Sequence, residues 1–183
     1  MSGHHLVLGQ MVDYLTGVSI TDTHDERYRQ ALAKLLVEEK GYQKPEILPC
    51  RKMIVAAGDK CARVQIDFTV VLEDTVAMII RYGPGSLVTR HRPALAASRV
   101  VAAYQIPIVV VTNGLDADVL HGKTGSILSK GLDSIPGRQN LLDRIRTQTN
   151  EPISLKRTEA EQRILYAYDI DDSCPCDDTS CKL

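Results

Sequence analysis

Two apolar runs separated by a short polar interruption dominate the centre of the chain, between Arg63 and Tyr82. The interruption is Glu73 and Asp74, and this pattern predicts a β-hairpin. In the first run, apolar and polar residues alternate: Val64, Ile66, Phe68 and Val70 against Gln65, Asp67 and Thr69. A period of two predicts that the apolar set faces a core and the polar set faces away from it. Asp67 is unusual there, because aspartate is depleted in strands. Both a hydrogen bond to a neighbouring loop and a functional role remain open for it.

Helical and strand patterns flank this hairpin on both sides. Residues 25–40 have leucines at helical spacing, acids in the first turn and a glycine just past the end, which predicts a helix. Residues 1–23 are predicted as a lead-in segment that ends in capping side chains, and residues 42–49 as a connector. Residues 51–57 are predicted as a strand that turns into the hairpin.

The second half of the chain predicts a buried strand among three helices. The alanine-rich stretch 94–104 is predicted as a helix with Pro93 in its first turn. The continuous apolar run at 106–112 is typical of a strand buried on both faces. Short strands are predicted at 117–121 and 126–128, and helices at 138–147 and 155–168. This order predicts an α/β fold in which helices cover a mixed sheet.

Composition limits the function classes. The 183 residues are 44% hydrophobic with a net charge of -1, so we expect one main domain and no global attraction to nucleic acid or membrane. The predicted organisation is a lead-in at 1–23, a domain at 24–150, a helix at 151–168 and an acidic tail at 169–183. No apolar run approaches the roughly 20 residues that cross a bilayer, which predicts a cytoplasmic protein without a membrane partner.

Cysteines are concentrated in the tail. Cys174, Cys176 and Cys181 have the spacing C-x-C-x4-C, and thiolates can bind zinc or an iron–sulfur cluster. A fourth ligand would have to come from Cys50 or Cys61, so the tail is favoured as a mobile segment without a cofactor. The odd number of cysteines indicates reduced thiols rather than a disulfide framework.

Four stretches together carry a resemblance to a known family. They are DERYRQALAKLLVEEKGYQKPEI, ARVQIDFTVVLEDTVAMIIRYGPG, YQIPIVVVTNGLDADVLHGKTGSIL and LDSIPGRQNLLDRI. Between residues 25 and 145 the chain resembles the N-terminal domain of type I restriction enzyme R subunits, in a stand-alone form. That family belongs to the PD-(D/E)XK nuclease superfamily, so the resemblance implies a restriction-endonuclease-like core.

The resemblance also implies a divalent-metal site. In such nucleases an aspartate on one strand, and a glutamate and lysine two residues apart on the next, surround Mg²⁺, an ion that requires oxygen ligands. Asp67 matches the first position. The other two fall on Ile80 and Tyr82, which cannot replace glutamate and lysine, and no Asp, Glu or Lys occurs from residue 75 to residue 89. An accessory acid from the first helix is expected at Asp25 or Glu26.

Three functional interpretations follow. The favoured one is a catalytically degenerate nuclease-fold protein that binds DNA or a partner through a basic cluster. The residues of that cluster are Arg81, Arg90, His91, Arg92 and Arg99. The alternative is an active Mg²⁺-dependent endodeoxyribonuclease whose ligands have moved to Glu73, Asp74, Glu38 or Glu39. A second alternative is a homo-oligomeric interaction module, with the tyrosine-bearing strand and the helix at 155–168 as its interface.

Overall fold

A computed structural model describes residues 7–171, with side chains placed from residue 7 to residue 168. The strands are β1 (Gly9–Val12), β2 (Ser19–Asp22), β3 (Ile47–Ala57), β4 (Lys60–Leu72), β5 (Thr75–Tyr82), β6 (Ile108–Thr112), β7 (Ala117–His121) and β8 (Ile127–Lys130). The helices are α1 (His24–Lys34), α2 (Val88–Ser98), α3 (Arg138–Thr147) and α4 (Leu155–Asp171). α1 continues directly into a π-helical segment at Leu35–Glu39.

Six of the strands form one mixed sheet in the order β3-β4-β5-β6-β7-β8. Neighbouring strands are antiparallel except β5 and β6, which are parallel and are connected through α2. β1 and β2 form a separate antiparallel hairpin. A mixed sheet flanked by helices, with helices at the carboxyl-terminal side, confirms the predicted α/β fold class.

Each face of the sheet carries its own hydrophobic core. α1, the π-helical segment and α3 contribute Leu32, Leu36 and Leu141, respectively, to the first core. α2 and α4 contribute to the second core, in which Leu165 is fully buried. All five residues of β6 are buried, as its uninterrupted apolar run predicts. The central strands are therefore covered on both faces, and polar groups on them need partners from the protein itself.

The predicted central hairpin is confirmed. Its turn is Glu73 and Asp74, with φ angles of 48° and 58°. Two consecutive residues with positive φ give the turn that matches the natural twist of a two-residue hairpin. The prediction that the apolar residues before Val71 share one face is wrong, because Val64 and Ile66 pack in the second core whereas Phe68 and Val70 pack in the first. The strand changes faces at Asp67.

Two other predictions of local structure need correction. The lead-in contains the β1-β2 hairpin, which is too short and too exposed to show an alternating pattern. The second helix begins at Val88 rather than near Pro93, which lies inside it. It ends at Ser98 and does not reach Tyr104, because the chain there pairs with a later segment: the Gln105 amide donates to the Glu151 carbonyl, and the Ile153 amide to the Ala103 carbonyl.

The connector predicted before β3 is partly strand. β3 begins at Ile47 and includes Pro49, which is tolerated because β3 is an edge strand of the sheet.

Among the described residues, no helix combines the length and the apolar character that a bilayer crossing requires.

Candidate functional site

Asp67 lies where β4 separates from β5. The pairing of the two strands runs from Leu72 opposite Thr75 to Phe68 opposite Ile80. One residue beyond, the side chain of Asp67 rather than a backbone carbonyl of β4 accepts the next hydrogen bond from β5: its Oδ2 lies 2.7 Å from the Tyr82 amide nitrogen. The residue is 5% exposed, so this carboxylate is a buried charge that requires compensation.

Arg29 of α1 supplies the compensating charge. Its Nε donates to Oδ1 of Asp67 at 2.8 Å, and its Nη1 donates to Oε2 of Glu26 at 3.1 Å. The Arg29 side chain is 24% exposed and that of Asp67 only 7%. Burial lowers the pKa of Arg29, but the two carboxylates, chiefly Asp67, raise it above its usual value, so the guanidinium stays charged. Both carboxylate oxygens of Asp67 therefore have a donor within the protein.

A hydrogen-bonded chain extends from this pair to the amino-terminal hairpin. The Gln30 amide nitrogen donates to Oε1 of Glu26 at 2.9 Å and to Oδ2 of Asp13 at 2.7 Å. Burial raises the pKa of Asp13, but hydrogen bonds from Gln30 and Thr16 outweigh it and leave that pKa below its usual value. Asp13, Gln30, Glu26, Arg29 and Asp67 form what we call the Arg29 network, which joins the β1-β2 connection, α1 and β4.

Ile80 and Tyr82 occupy the positions at which the resemblance places glutamate and lysine. Ile80 is fully buried in the first core and pairs with Phe68 and Val110. The Tyr82 hydroxyl donates to Oδ1 of Asp25 at 3.0 Å. Burial, together with that carboxylate, raises the pKa of Tyr82, so the hydroxyl is neutral and acts as a donor.

An aromatic contact completes what we call the Asp67 corner, which consists of Asp67, Arg29, Ile80, Tyr82 and Asp25. The Tyr82 ring stacks on Tyr28 with 6.0 Å between ring centroids, and the Arg29 guanidinium carbon lies 5.5 Å from the Tyr82 centroid. Tyr28 in turn packs so closely on Gly114 that a β-carbon there would lie 2.5 Å from its ring. The side of Tyr82 that faces α1 is therefore filled by protein.

These residues do not fit a catalytic divalent cation. Mg²⁺ needs several oxygen ligands in octahedral geometry. Asp67 presents two oxygens that already accept hydrogen bonds, a fixed positive charge lies against it, and Ile80 offers no ligand. Within the part of the chain that the structure describes, no three His, Cys, Asp or Glu residues form a group suited to a metal ion.

The acids proposed as migrated ligands lie elsewhere. Glu73 pairs with Arg146 at the far end of the hairpin, about 20 Å along the strand from Asp67. Glu38 accepts a hydrogen bond of 2.9 Å from the Tyr14 hydroxyl. The structure does bring the two predicted accessory acids to the site, since Asp25 contacts Tyr82 and Glu26 contacts Arg29. Cys174, Cys176 and Cys181 lie outside the described residues.

The predicted basic cluster is divided in the structure. Arg92 and Arg99 both contact Glu161 of α4, whose side chain is 1% exposed, at 2.6 Å and 2.9 Å. Arg157 also donates to this carboxylate, at 2.7 Å. Burial raises the pKa of Glu161, but Arg92 and the other two arginines lower it below its usual value. We call these four residues the Glu161 cluster.

The other three basic residues are placed separately. Nε2 of His91 lies 2.7 Å from Oδ2 of Asp118, a buried residue on β7. Arg90 donates to the Pro84 carbonyl at 3.2 Å and lies directly against Gly83. Arg81 lies on β5. Whether this segment binds phosphates stays a prediction.

Sequence reasoning missed the cation at Asp67 and the carboxylate among the arginines. Arg29 lies three residues after Glu26 on α1, a spacing that indicates a pair on one helix face. Nothing in the sequence connects Arg29 to Asp67, which is 38 residues away. The partner of Arg99 is 62 residues away. These contacts depend on how the helices pack.

Comparison with known proteins supports the family assignment. No curated protein and no solved structure matches the chain. A family model described as the type I restriction enzyme R protein N terminus matches residues 24–136, which is more than half of the chain and includes α1, the whole Asp67 corner and the sheet as far as β8. The chain therefore belongs to the type I restriction enzyme R protein N-terminal family.

Proposed function

We propose that this chain is a catalytically degenerate protein of the PD-(D/E)XK nuclease type, which keeps the scaffold and does not hydrolyse DNA. The observation that carries the proposal is the state of Asp67. Its two oxygens are engaged by Arg29 and by the Tyr82 amide, and the neighbouring strand offers Ile80 in place of an acid.

The chemistry of phosphodiester hydrolysis supports this proposal. A metal ion in such a site polarises the phosphate and generates hydroxide by lowering the pKa of bound water. Arg29 supplies positive charge at Asp67, but a guanidinium has only donors and stays protonated, so it can neither bind a water as a Lewis acid nor accept its proton. Tyr82 is neutral and donates to Asp25, so it does not replace a catalytic lysine.

A cleavage assay tests the proposal. Supercoiled plasmid is incubated with the purified chain in Mg²⁺ and, separately, in Mn²⁺, beside an active Mg²⁺-dependent nuclease as a positive control. We expect the same plasmid bands with the wild-type chain, with Asp67→Ala and with buffer. Cleavage by the wild type that disappears in Asp67→Ala would show that the corner is active and would refute the proposal.

DNA binding and self-association are separate proposals for the retained scaffold. The candidate DNA-binding surface is the predicted basic cluster, in which Arg92 and Arg99 contact Glu161 and His91 contacts Asp118. Fluorescence anisotropy with a labelled duplex at several salt concentrations measures DNA binding, since phosphate contacts weaken as salt rises. A light-scattering mass that stays monomeric across concentrations would contradict the oligomer proposal.

A further inference from the structure

A polar cavity of about 450 Å³ lies between the start of α4 and the connection that follows β7. Its lining includes Arg99, Gln105, Lys123, Glu151, Ser154 and Arg157. The volume is within the range of roughly 300–1,000 Å³ that is typical of small-molecule sites. Part of the wall comes from residues beyond the family match at 24–136, so the cavity is formed where the later segment meets the family domain.

The wall beside Lys123 is fixed by the main chain. The Gly122 amide donates to the Pro107 carbonyl, and a β-carbon at Gly122 would lie 1.8 Å from the Ile106 carbonyl oxygen, so only glycine allows this approach. The Gly122 and Lys123 carbonyls accept hydrogen bonds from Arg99. The guanidinium is therefore held in one orientation before any ligand arrives.

Positive charge is in excess around this cavity. The Glu161 cluster contains three arginines and one carboxylate, and the lining adds the pair of Lys123 with Glu151, joined at 2.8 Å. Four cations against two carboxylates leave a local charge of about +2, whereas the whole chain has a net charge of -1. The Arg157 side chain is 55% exposed, and its Nε donates to Oε1 of Glu161 at 2.7 Å.

We propose that this cavity binds the phosphate group of a small phosphate monoester. Such a phosphate has a charge of about −1.5 to −2 at neutral pH, which matches the local excess, whereas a single carboxylate would leave part of it uncompensated. Guanidinium groups match phosphate oxygens with paired donors. α4 also begins at this wall, with Ser154 accepting from the Arg157 amide, so its positive end faces the same region.

The site is independent of the Asp67 corner, because none of the lining residues belongs to the Arg29 network. Whether this cavity binds phosphate is therefore a separate question from whether the chain cleaves DNA. A titration of the full chain with inorganic phosphate, and then with AMP, tests the proposal by ¹H–¹⁵N NMR at constant ionic strength. We expect saturable shifts at the amides of Gly122, Lys123 and Ser154, with AMP binding at least as tightly as phosphate.

Two matched variants on α4 distinguish a built site from general charge. Arg157→Gln removes a lining cation, while Lys156→Gln removes an exposed neighbouring charge that does not line the cavity. We expect Arg157→Gln to weaken AMP binding by about tenfold or more, and Lys156→Gln to change it less than twofold. The amide spectrum of each variant without ligand shows whether the fold is retained; should Arg157→Gln disturb it, Lys123→Gln serves as the second lining variant.

Several results would overturn the proposal. Shifts that do not saturate, or equal losses in the two α4 variants, would show screening by an adventitious ion only. Binding of phosphate without AMP would have the same meaning. Displacement of AMP by a DNA duplex that lacks terminal phosphates would assign the cavity to nucleic acid rather than to a small molecule.

Discussion

Replacing Arg29 by methionine tests whether this cation is what holds the buried Asp67 carboxylate. The substitution keeps an unbranched side chain of similar length and removes the guanidinium, which leaves the Tyr82 amide as the donor to Asp67. Removing one partner of a buried ion pair costs about 3–5 kcal/mol, because the other charge stays buried and uncompensated. For a chain of this length that loss lowers Tm by roughly 6–20 °C.

Arg27→Met is the matched control on the same helix. Arg27 makes two hydrogen bonds to Asp22, at 2.7 Å and 2.8 Å, but its side chain is 55% exposed. This pair is nearer to water than the pair of Arg29 and Asp67, because the Asp22 side chain is 13% exposed and that of Asp67 7%, and ion pairs that are screened by water contribute less. Thermal unfolding followed by circular dichroism should therefore show a larger loss for Arg29→Met than for Arg27→Met.

The double variant Arg29→Met/Asp67→Asn separates charge from packing. Asparagine removes the uncompensated charge while keeping the size of the side chain, so we expect it to recover most of the stability lost in Arg29→Met. Equal melting temperatures for Arg29→Met and Arg27→Met would refute the reasoning, as would a double variant no more stable than Arg29→Met alone.

Mn²⁺ provides the second measurement on the same variants. In Arg29→Met, the carboxylates of Asp67 and Glu26 lose the cation that they share, so an added divalent ion should bind between them and raise Tm. We expect no such rise in the wild type, in which the guanidinium holds both. A rise in wild-type Tm at the same Mn²⁺ concentration, absent in Asp67→Asn, would show that an ion reaches Asp67 despite Arg29.

Three further predictions concern Glu161, Tyr82 and Gly122. Glu161→Gln should lower the free energy of unfolding by about 3–5 kcal/mol at neutral pH. Because the pKa of Glu161 is lowered in the folded chain, this stability is present above the ordinary glutamate pKa of about 4.3 and is lost as pH falls through the folded pKa. Urea titrations at decreasing pH should therefore show the difference in stability between wild type and variant becoming smaller. Tyr82→Phe removes the hydrogen bond to Asp25 and should lower the free energy of unfolding by about 0.5–1.5 kcal/mol in urea, while Tyr28→Phe, which keeps the ring stacking, should have a smaller effect. Gly122→Ala places a β-carbon 1.8 Å from a carbonyl oxygen and should cost about 1–3 kcal/mol; a variant as stable as the wild type would contradict the fixed wall of the cavity.

The sequence predicted those elements whose local pattern agrees with their environment. β7 and α3 have the predicted bounds, and the hairpin of β4 and β5 follows from alternation and a polar two-residue turn. α2 was displaced because Ala94, Ala96 and Ala97 suit a helix interior at almost any register, while pairing of residues 103–105 with residues 151–153 excludes the predicted end at Tyr104. Such pairing between distant segments leaves no mark in a local pattern.

The sequence likewise predicted only part of the candidate site. An aspartate in an apolar strand is conspicuous, so Asp67 stood out in the sequence, whereas the comparison of Ile80 with an acid came only from the family resemblance. Arg29 was not, because an arginine on a helix is ordinary until the helix is packed against the strand. Arg92 and Arg99 were predicted as part of a phosphate-binding cluster, whereas in the structure both contact the buried carboxylate of Glu161 on α4. Charges on distant elements reveal their partners only in three dimensions.

The presence of Arg29 beside Asp67 explains why an apolar residue, Ile80, is stable on the neighbouring strand. A buried Asp67 needs a cation, and either a metal ion or a side chain can supply it. A catalytic metal ion needs ligands beyond the carboxylates of Asp67 and Glu26, whereas a guanidinium is satisfied by these two alone. With Arg29 present, an acid at position 80 would be a buried charge without a cation of its own, so an apolar residue is the stable choice there. The corner therefore does not depend on a metal ion for its charge balance.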